Sequence, residues 1–212
     1  MDKSFWYQKW EKNEIGFHGG VPNPLLVGHF ERLSLPKGAR VFLPLCGKSL
    51  DIHWLLAQGY RVAGAELSRL AVDQLFRELG VAPEISGAGE LVHYRAQNID
   101  LFVGDIFTLS RETLGPVDAV YDRAALVALP GEMRSRYTGH LMGITGKAPQ
   151  LLICYAYDQA LAAGPPFSVS DEEVLRHYQD VYEPLLVTSL EVPGGLRGQF
   201  PARENVWLLK KP

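Results

Sequence analysis

The stretch RVFLPLCGKSLDIHWLLAQGYRVAGAELS, residues 40–68, holds one complete strand–helix–strand unit. Residues 40–45 are a short apolar run after the turn formers Pro36, Lys37 and Gly38, as expected of a buried strand. Ile52, Leu55 and Leu56 then recur at helical spacing until Gly59, and residues 61–66 read as a second strand. Ser68 is placed to cap a further helix whose Val72, Leu75, Phe76 and Leu79 share one face before Gly80 ends it. Outward from this unit, strands are predicted at 99–103, 117–121 and 151–157, with a helix over about 131–142 before the last of them. Strands alternating with helices imply a parallel sheet covered on both faces.

The pattern changes near the end of the chain. Ser170 and Glu173 form a capping-box pair ahead of the apolar stripe Val174, Leu175 and Tyr178. Residues 185–192 and 205–209 are then two strand-like runs with only the Gly- and Pro-rich segment 193–201 between them, which predicts an antiparallel hairpin. The expected fold class is α/β: a doubly wound, Rossmann-like, mostly parallel seven-stranded sheet finished by that C-terminal antiparallel hairpin.

Composition narrows the function classes. With 212 residues, 47% of them hydrophobic, one domain buries its core better than two small ones. A formal charge of -3 offers no basic excess for a phosphate backbone, so no nucleic-acid partner is expected. Apolar runs such as 151–153 fall far below the roughly 20 residues that cross a bilayer, so no membrane association is expected and the protein is read as cytoplasmic. Cys46 and Cys154 are the only cysteines and have no paired spacing, which supports neither a disulfide framework nor a zinc knuckle. The six histidines, at 18, 29, 53, 93, 140 and 177, lack metal-ligand spacing, and no metal is expected.

In a doubly wound sheet, ligands sit beyond the carboxyl ends of the central strands. The first strand is followed by Pro44, Leu45, Cys46 and Gly47; the second ends on Glu66, about twenty residues later, a spacing at which a carboxylate accepts both ribose hydroxyls. Glu66 has a competing reading as a solvated turn residue or a helix cap. A nicotinamide dinucleotide needs G-x-G-x-x-G and only Gly47 is present; a P-loop needs glycine at position 42, which is Phe42. S-adenosylmethionine (SAM) has no phosphate to cradle and is preferred by elimination. Asp105 and Ile106 end the third strand segment, where a carboxylate and a backbone amide can meet an adenine edge; Asp105 equally suits the cap of a helix beginning near Ile106. The alternatives to a SAM enzyme are a non-catalytic SAM-binding protein and, less favoured, an NAD-dependent oxidoreductase.

The 40–68 string, YDRAALVAL at 121–129 and GPPFSV at 164–169, with Trp6, Trp10, Phe17 and His18 near the N-terminus, resemble the thiopurine S-methyltransferase family over essentially the whole chain. The resemblance implies a class I methyltransferase fold, SAM as methyl donor, and the sulfur of an aromatic or heterocyclic thiol as acceptor, with selenium or tellurium compounds as further acceptors. It implies SAM contacts at Trp10, Leu45, Gly47, Glu66 and Arg123, with Asp105 and Ile106 flanking the adenine. Phe17, Pro166 and Phe167 become the acceptor wall, and residues 1–30 a covering segment on a single domain spanning 1–212. Without the resemblance, Trp6 and Trp10, four apart on a short helix, read as cover for the core edge. An aromatic thiol ionises readily, so transfer demands placement more than a protein base, and Arg123 is the candidate to favour the thiolate. The competing reading pairs Arg123 with Asp122 or another carboxylate. Cys46 is expected to be a small buried thiol, not a nucleophile. The protein is expected to act as a monomer on a small-molecule thiol or metalloid acceptor.

Overall fold

A computed structural model describes residues 3–16 and 18–211. In chain order the elements are α1 (Lys3–Glu11), α2 (Pro24–His29), β1 (Arg40–Pro44), α3 (Leu50–Ala57), β2 (Arg61–Glu66), α4 (Arg69–Leu79), β3 (Glu84–Ala88), β4 (Leu91–Ala96) and β5 (Ile99–Val103). They continue with α5 (Arg111–Leu114), β6 (Ala119–Arg123), α6 (Gly131–Ile144), β7 (Gln150–Ala156), α7 (Asp171–Tyr178), β8 (Glu183–Glu191) and β9 (Arg203–Lys210).

The strands form one sheet in the order β3-β4-β5-β2-β1-β6-β7-β9-β8. The five central strands, β5, β2, β1, β6 and β7, are parallel, and β9 and β8 continue the sheet antiparallel. Alternation along the strands builds two cores: Val41, Leu43, Val62 and Leu101 pack on one face, and Phe42, Ala63, Ala65 and Phe102 on the other. Gly64 is required at the crossing of β2 with its neighbours, because a Cβ there would sit 2.6 Å from Leu101 Cδ2 and 2.8 Å from Cys46 Sγ.

The helix signals are realised where expected. The Ser68 hydroxyl accepts from Ala71 N, and Gly80 ends α4 in the left-handed region. Only half of the box at α7 forms: Ser170 Oγ accepts from Glu173 N at 3.2 Å, while the Glu173 carboxylate turns to Arg134 at 2.7 Å. A buried guanidinium outcompetes a backbone amide for a carboxylate.

Element bounds shift by one or two residues, and two of the shifts bear on the site. β1 ends at Pro44, not 45, because Leu45 takes a left-handed conformation. The strand expected at 117–121 lies at Ala119–Arg123, since Asp118 is engaged with the start of β1: its Oδ2 accepts from Arg40 N at 2.6 Å and its N–H reaches Arg40 O at 2.8 Å. The sheet holds the seven strands expected and two more, the hairpin β3–β4, which pairs antiparallel onto β5. Four of the five β3 residues are exposed, so that strand carries no hydrophobic alternation to read. No helix among the described residues is long and apolar enough to cross a membrane.

Candidate active site

Backbone strain collects where β1 and β6 end. Leu45 and Ala124, both non-glycine, have φ of 46° and 63°, and Gly47 between β1 and α3 has φ of 53°. Such conformations cost about 1–3 kcal/mol each for a side-chain-bearing residue and persist where the surroundings enforce them. The enforcement at β1 comes from Glu66. Its Oε2 accepts from Gly47 N at 2.7 Å and its Oε1 from Ser68 N at 2.8 Å, while Cys46 N reaches Ala65 O at 3.0 Å. The carboxylate is 6% exposed; burial raises its pKa, and the hydrogen bonds from Ser68, Gly47 and Leu67 pull against that.

These turns open onto a cavity of about 770 Å³, lined by Leu45, Gly47 and Glu66 at one side and by Arg123 and Pro166 at another. Helix α1 lies over it. Trp10 is buried, and a Cβ on Gly47 would come within 3.0 Å of the Trp10 ring, so the indole packs directly against that turn. Cys46 also borders the cavity but is buried, and burial pushes its thiol well above the ordinary range, which leaves it a poor nucleophile.

Asp105 caps and faces the cavity at once. Its Oδ1 accepts from Phe107 N at 3.0 Å and its Oδ2 pairs with Lys3 Nζ at 2.8 Å, which ties α1 to the end of β5. Ile106 beside it is buried and lines the cavity, and its carbonyl meets His140 Nε2 at 2.7 Å. Sequence reading passed over Arg136, whose guanidinium stacks 4.0 Å above the Phe107 ring and covers this end of the site.

Arg123 and Asp122 point to opposite faces, as successive strand residues must. Asp122 is fully buried, accepts from the Tyr137 hydroxyl at 2.7 Å and from Leu126 N at 3.1 Å, and is raised to about 6 by burial. The pairing of Arg123 with Asp122 is therefore excluded. The carboxylate that feels the Arg123 charge is Glu204 of β9, across from Tyr155 of β7. Two more residues join this face of the cavity: the Tyr121 hydroxyl donates to Asp51 Oδ2 at 3.0 Å. These two are 70 positions apart, so no local spacing announces them.

Of the expected acceptor wall, Pro166 borders the cavity. Phe167 turns away from it: its N–H bonds to Val127 O at 2.7 Å, its ring packs against Gly164, and the Arg134 guanidinium lies 5.7 Å from the ring centre. Phe17 lies outside the described residues. Arg197, from the 193–201 loop, borders the cavity instead and donates a hydrogen bond to Pro165 O. Among the described residues, no three His, Cys, Asp or Glu side chains come together as a metal site would need.

A model of the family described as thiopurine S-methyltransferase (TPMT) matches residues 1–211. A thiopurine S-methyltransferase of Xanthobacter autotrophicus is 56% identical over 212 residues, covering 100% of both chains. Another, from Teredinibacter turnerae, is 48% identical over 211 residues, covering 100% of this chain and 98% of its own. Among solved structures, Burkholderia thailandensis 1,6-didemethyltoxoflavin-N1-methyltransferase, with 1,6-didemethyltoxoflavin and S-adenosylhomocysteine bound, superposes with a TM-score of 0.67 at 12% identity, covering 99% of this chain and 87% of the other. That likeness establishes the class I methyltransferase fold.

Proposed function

The chain belongs to the thiopurine S-methyltransferase family and is a SAM-dependent enzyme, and from that premise we propose that it methylates the sulfur of aromatic or heterocyclic thiols in the cavity between Glu66 and Arg123. The observation that carries this is the joining of two chemistries in one cavity: a buried carboxylate behind a strained turn, and an arginine facing it from the next strand but one.

The residues present fit SAM. Backbone amides occupy part of the lone-pair capacity of the Glu66 carboxylate, and the remainder is open to the ribose hydroxyls. Leu45 and Gly47 bring backbone close without a phosphate-binding glycine pattern, Trp10 covers that turn, and Asp105 with the Ile106 amide would flank the adenine. When bound, SAM supplies an electrophilic methyl group on a sulfonium. The chain itself orients and excludes water. Arg123 holds the acceptor sulfur as thiolate by its charge, and Pro166 closes the apolar wall against it. Lowering the acceptor's pKa by one unit takes about 1.4 kcal/mol of preference for the anion, within reach of one arginine in a partly buried site.

The proposal further assigns residues 1–212 to one domain with 1–30 as its covering segment, acting as a cytoplasmic monomer. Selenium and tellurium compounds are included as acceptors, on the ground that Arg123 favours any anionic nucleophile. The test is an acceptor screen with methyl-labelled SAM across thiophenols, thiopurines and selenite. Label on sulfur or selenium supports the reading. A protein that binds SAM and labels none of them overturns the thiol-acceptor reading.

A further inference from the structure

Above the apolar cluster on one face of the sheet, the strand ends carry a polar tier. Tyr121 and Arg123 are two apart on β6 and leave the same face. Asp51, 2% exposed, arrives from α3; its Oδ2 accepts from the Tyr121 hydroxyl at 3.0 Å and its Oδ1 from Asn23 N at 2.7 Å. Asp51, Tyr121 and Arg123 all line the cavity.

The Tyr121 proton is committed to Asp51 Oδ2, and Asp51 Oδ1 is taken by the Asn23 N–H. The pair therefore offers the cavity lone pairs only, whereas Arg123 offers donors only. A ligand that satisfies both carries an N–H or O–H on one edge and an electron-rich atom on another. Thiophenol has only the second. A heterocyclic thione has both, with its ring N–H and its sulfur attached to the same carbon.

Resting on the S-methyl transfer reading above, we propose that Tyr121 and Asp51 recognise the ring N–H of a heterocyclic thione and take its proton as the sulfur is methylated. The N–H bond breaks and its proton passes to the Tyr121 oxygen, while the Tyr121 proton moves to Asp51 Oδ2. The N–H electron pair becomes the new C=N bond and the C=S π pair moves onto sulfur. That sulfur forms the S–CH3 bond as the methyl–sulfonium bond breaks, leaving neutral S-adenosylhomocysteine. Asp51 returns its proton to water after product release. Burial pushes the Tyr121 hydroxyl well above its ordinary range, which keeps it protonated and suits it to relay a proton between partners.

The test compares 2-mercaptobenzimidazole, which presents N–H beside C=S, with thiophenol, which has no ring N–H, in wild type and Tyr121→Phe. The ratio of kcat/KM for the two, thione over thiophenol, is expected to fall by about ten-fold or more, the effect of one lost hydrogen bond in a charged network. A second readout needs no turnover: ultraviolet difference absorption of the thione bound to the S-adenosylhomocysteine complex. Wild type should shift the thione band away from its position in water through the N–H hydrogen bond, and Tyr121→Phe and Asp51→Asn should lose most of that shift. Retained S-adenosylhomocysteine binding certifies that each variant is folded. Equal losses for both acceptors, or the same absorption in all proteins, overturns the relay. Wild type that turns over thiophenol but not the thione overturns it and leaves the S-transfer reading standing; turnover of neither sinks both.

Discussion

Replacing Glu66 with Gln perturbs the centre of the cofactor cradle. The native carboxylate is 6% exposed and accepts from Gly47 N at 2.7 Å and Ser68 N at 2.8 Å. Gln offers one oxygen and one NH2, so one of those backbone donors meets another donor. An unsatisfied buried donor costs about 1–3 kcal/mol, and each lost bond from a ribose hydroxyl to a charged acceptor removes about 1.5–3 kcal/mol from binding. Burial already raises the Glu66 carboxyl, so neutralising it recovers desolvation energy in the free protein. The two effects oppose each other in the fold, whereas the complex additionally loses its charged acceptor. Stability should therefore fall modestly, by about 2–4 °C in Tm for each kcal/mol lost in a chain of this size. S-adenosylhomocysteine affinity should fall by about 10–100-fold. Isothermal titration calorimetry beside thermal unfolding reads both. A variant that binds S-adenosylhomocysteine within about two-fold of wild type refutes the ribose-binding role.

Other perturbations follow from the same contacts. Gly64→Ala places a methyl 2.6 Å from Leu101 Cδ2, so urea unfolding should show a loss of about 1–3 kcal/mol; an unchanged midpoint contradicts the tight crossing. Arg134→Ala removes donors to Leu129 O, Ser168 O and the Glu173 carboxylate and leaves that part-buried carboxylate only the longer contact to His177 Nε2 at 3.3 Å. The expected cost is about 3–5 kcal/mol, or about 6–20 °C in Tm, and a drop under about 2 °C rules the clamp out. Asp122, raised from 3.8 to about 6 by burial, holds its proton more tightly in the native state than in the unfolded chain. Its ionisation therefore penalises the fold, with no penalty below about pH 4 and a full one above about pH 6. Between those limits wild type should lose Tm relative to Asp122→Asn; a Tm difference that does not vary with pH excludes the buried charge as its cause.

The central unit was legible because its signals are local. Apolar runs mark β1 and β2, Ser68 and Gly80 bracket α4, and Glu66 ends its strand at the spacing a ribose requires. The β3–β4 hairpin was not, since β3 is exposed and takes its order from pairing with β4. The orientation of Arg123 depended on a strand boundary set by Asp118 binding the start of β1, a contact 78 residues away in sequence. Phe167 and Pro166 are adjacent yet face different surroundings, because Phe167 N is tied to Val127 O. Tyr121 with Asp51, and Arg197 with Pro165, meet only through tertiary packing. What remained hidden was thus the part of the site assembled by long-range contacts.

The claim that Arg123 places an ionised acceptor is tested most directly by an ultraviolet pH titration of a thiophenol bound to the S-adenosylhomocysteine complex. The account predicts a bound thiol pKa at least about one unit below its value in water, returning toward that value in Arg123→Gln. A bound pKa equal to or above the free value in wild type would contradict it.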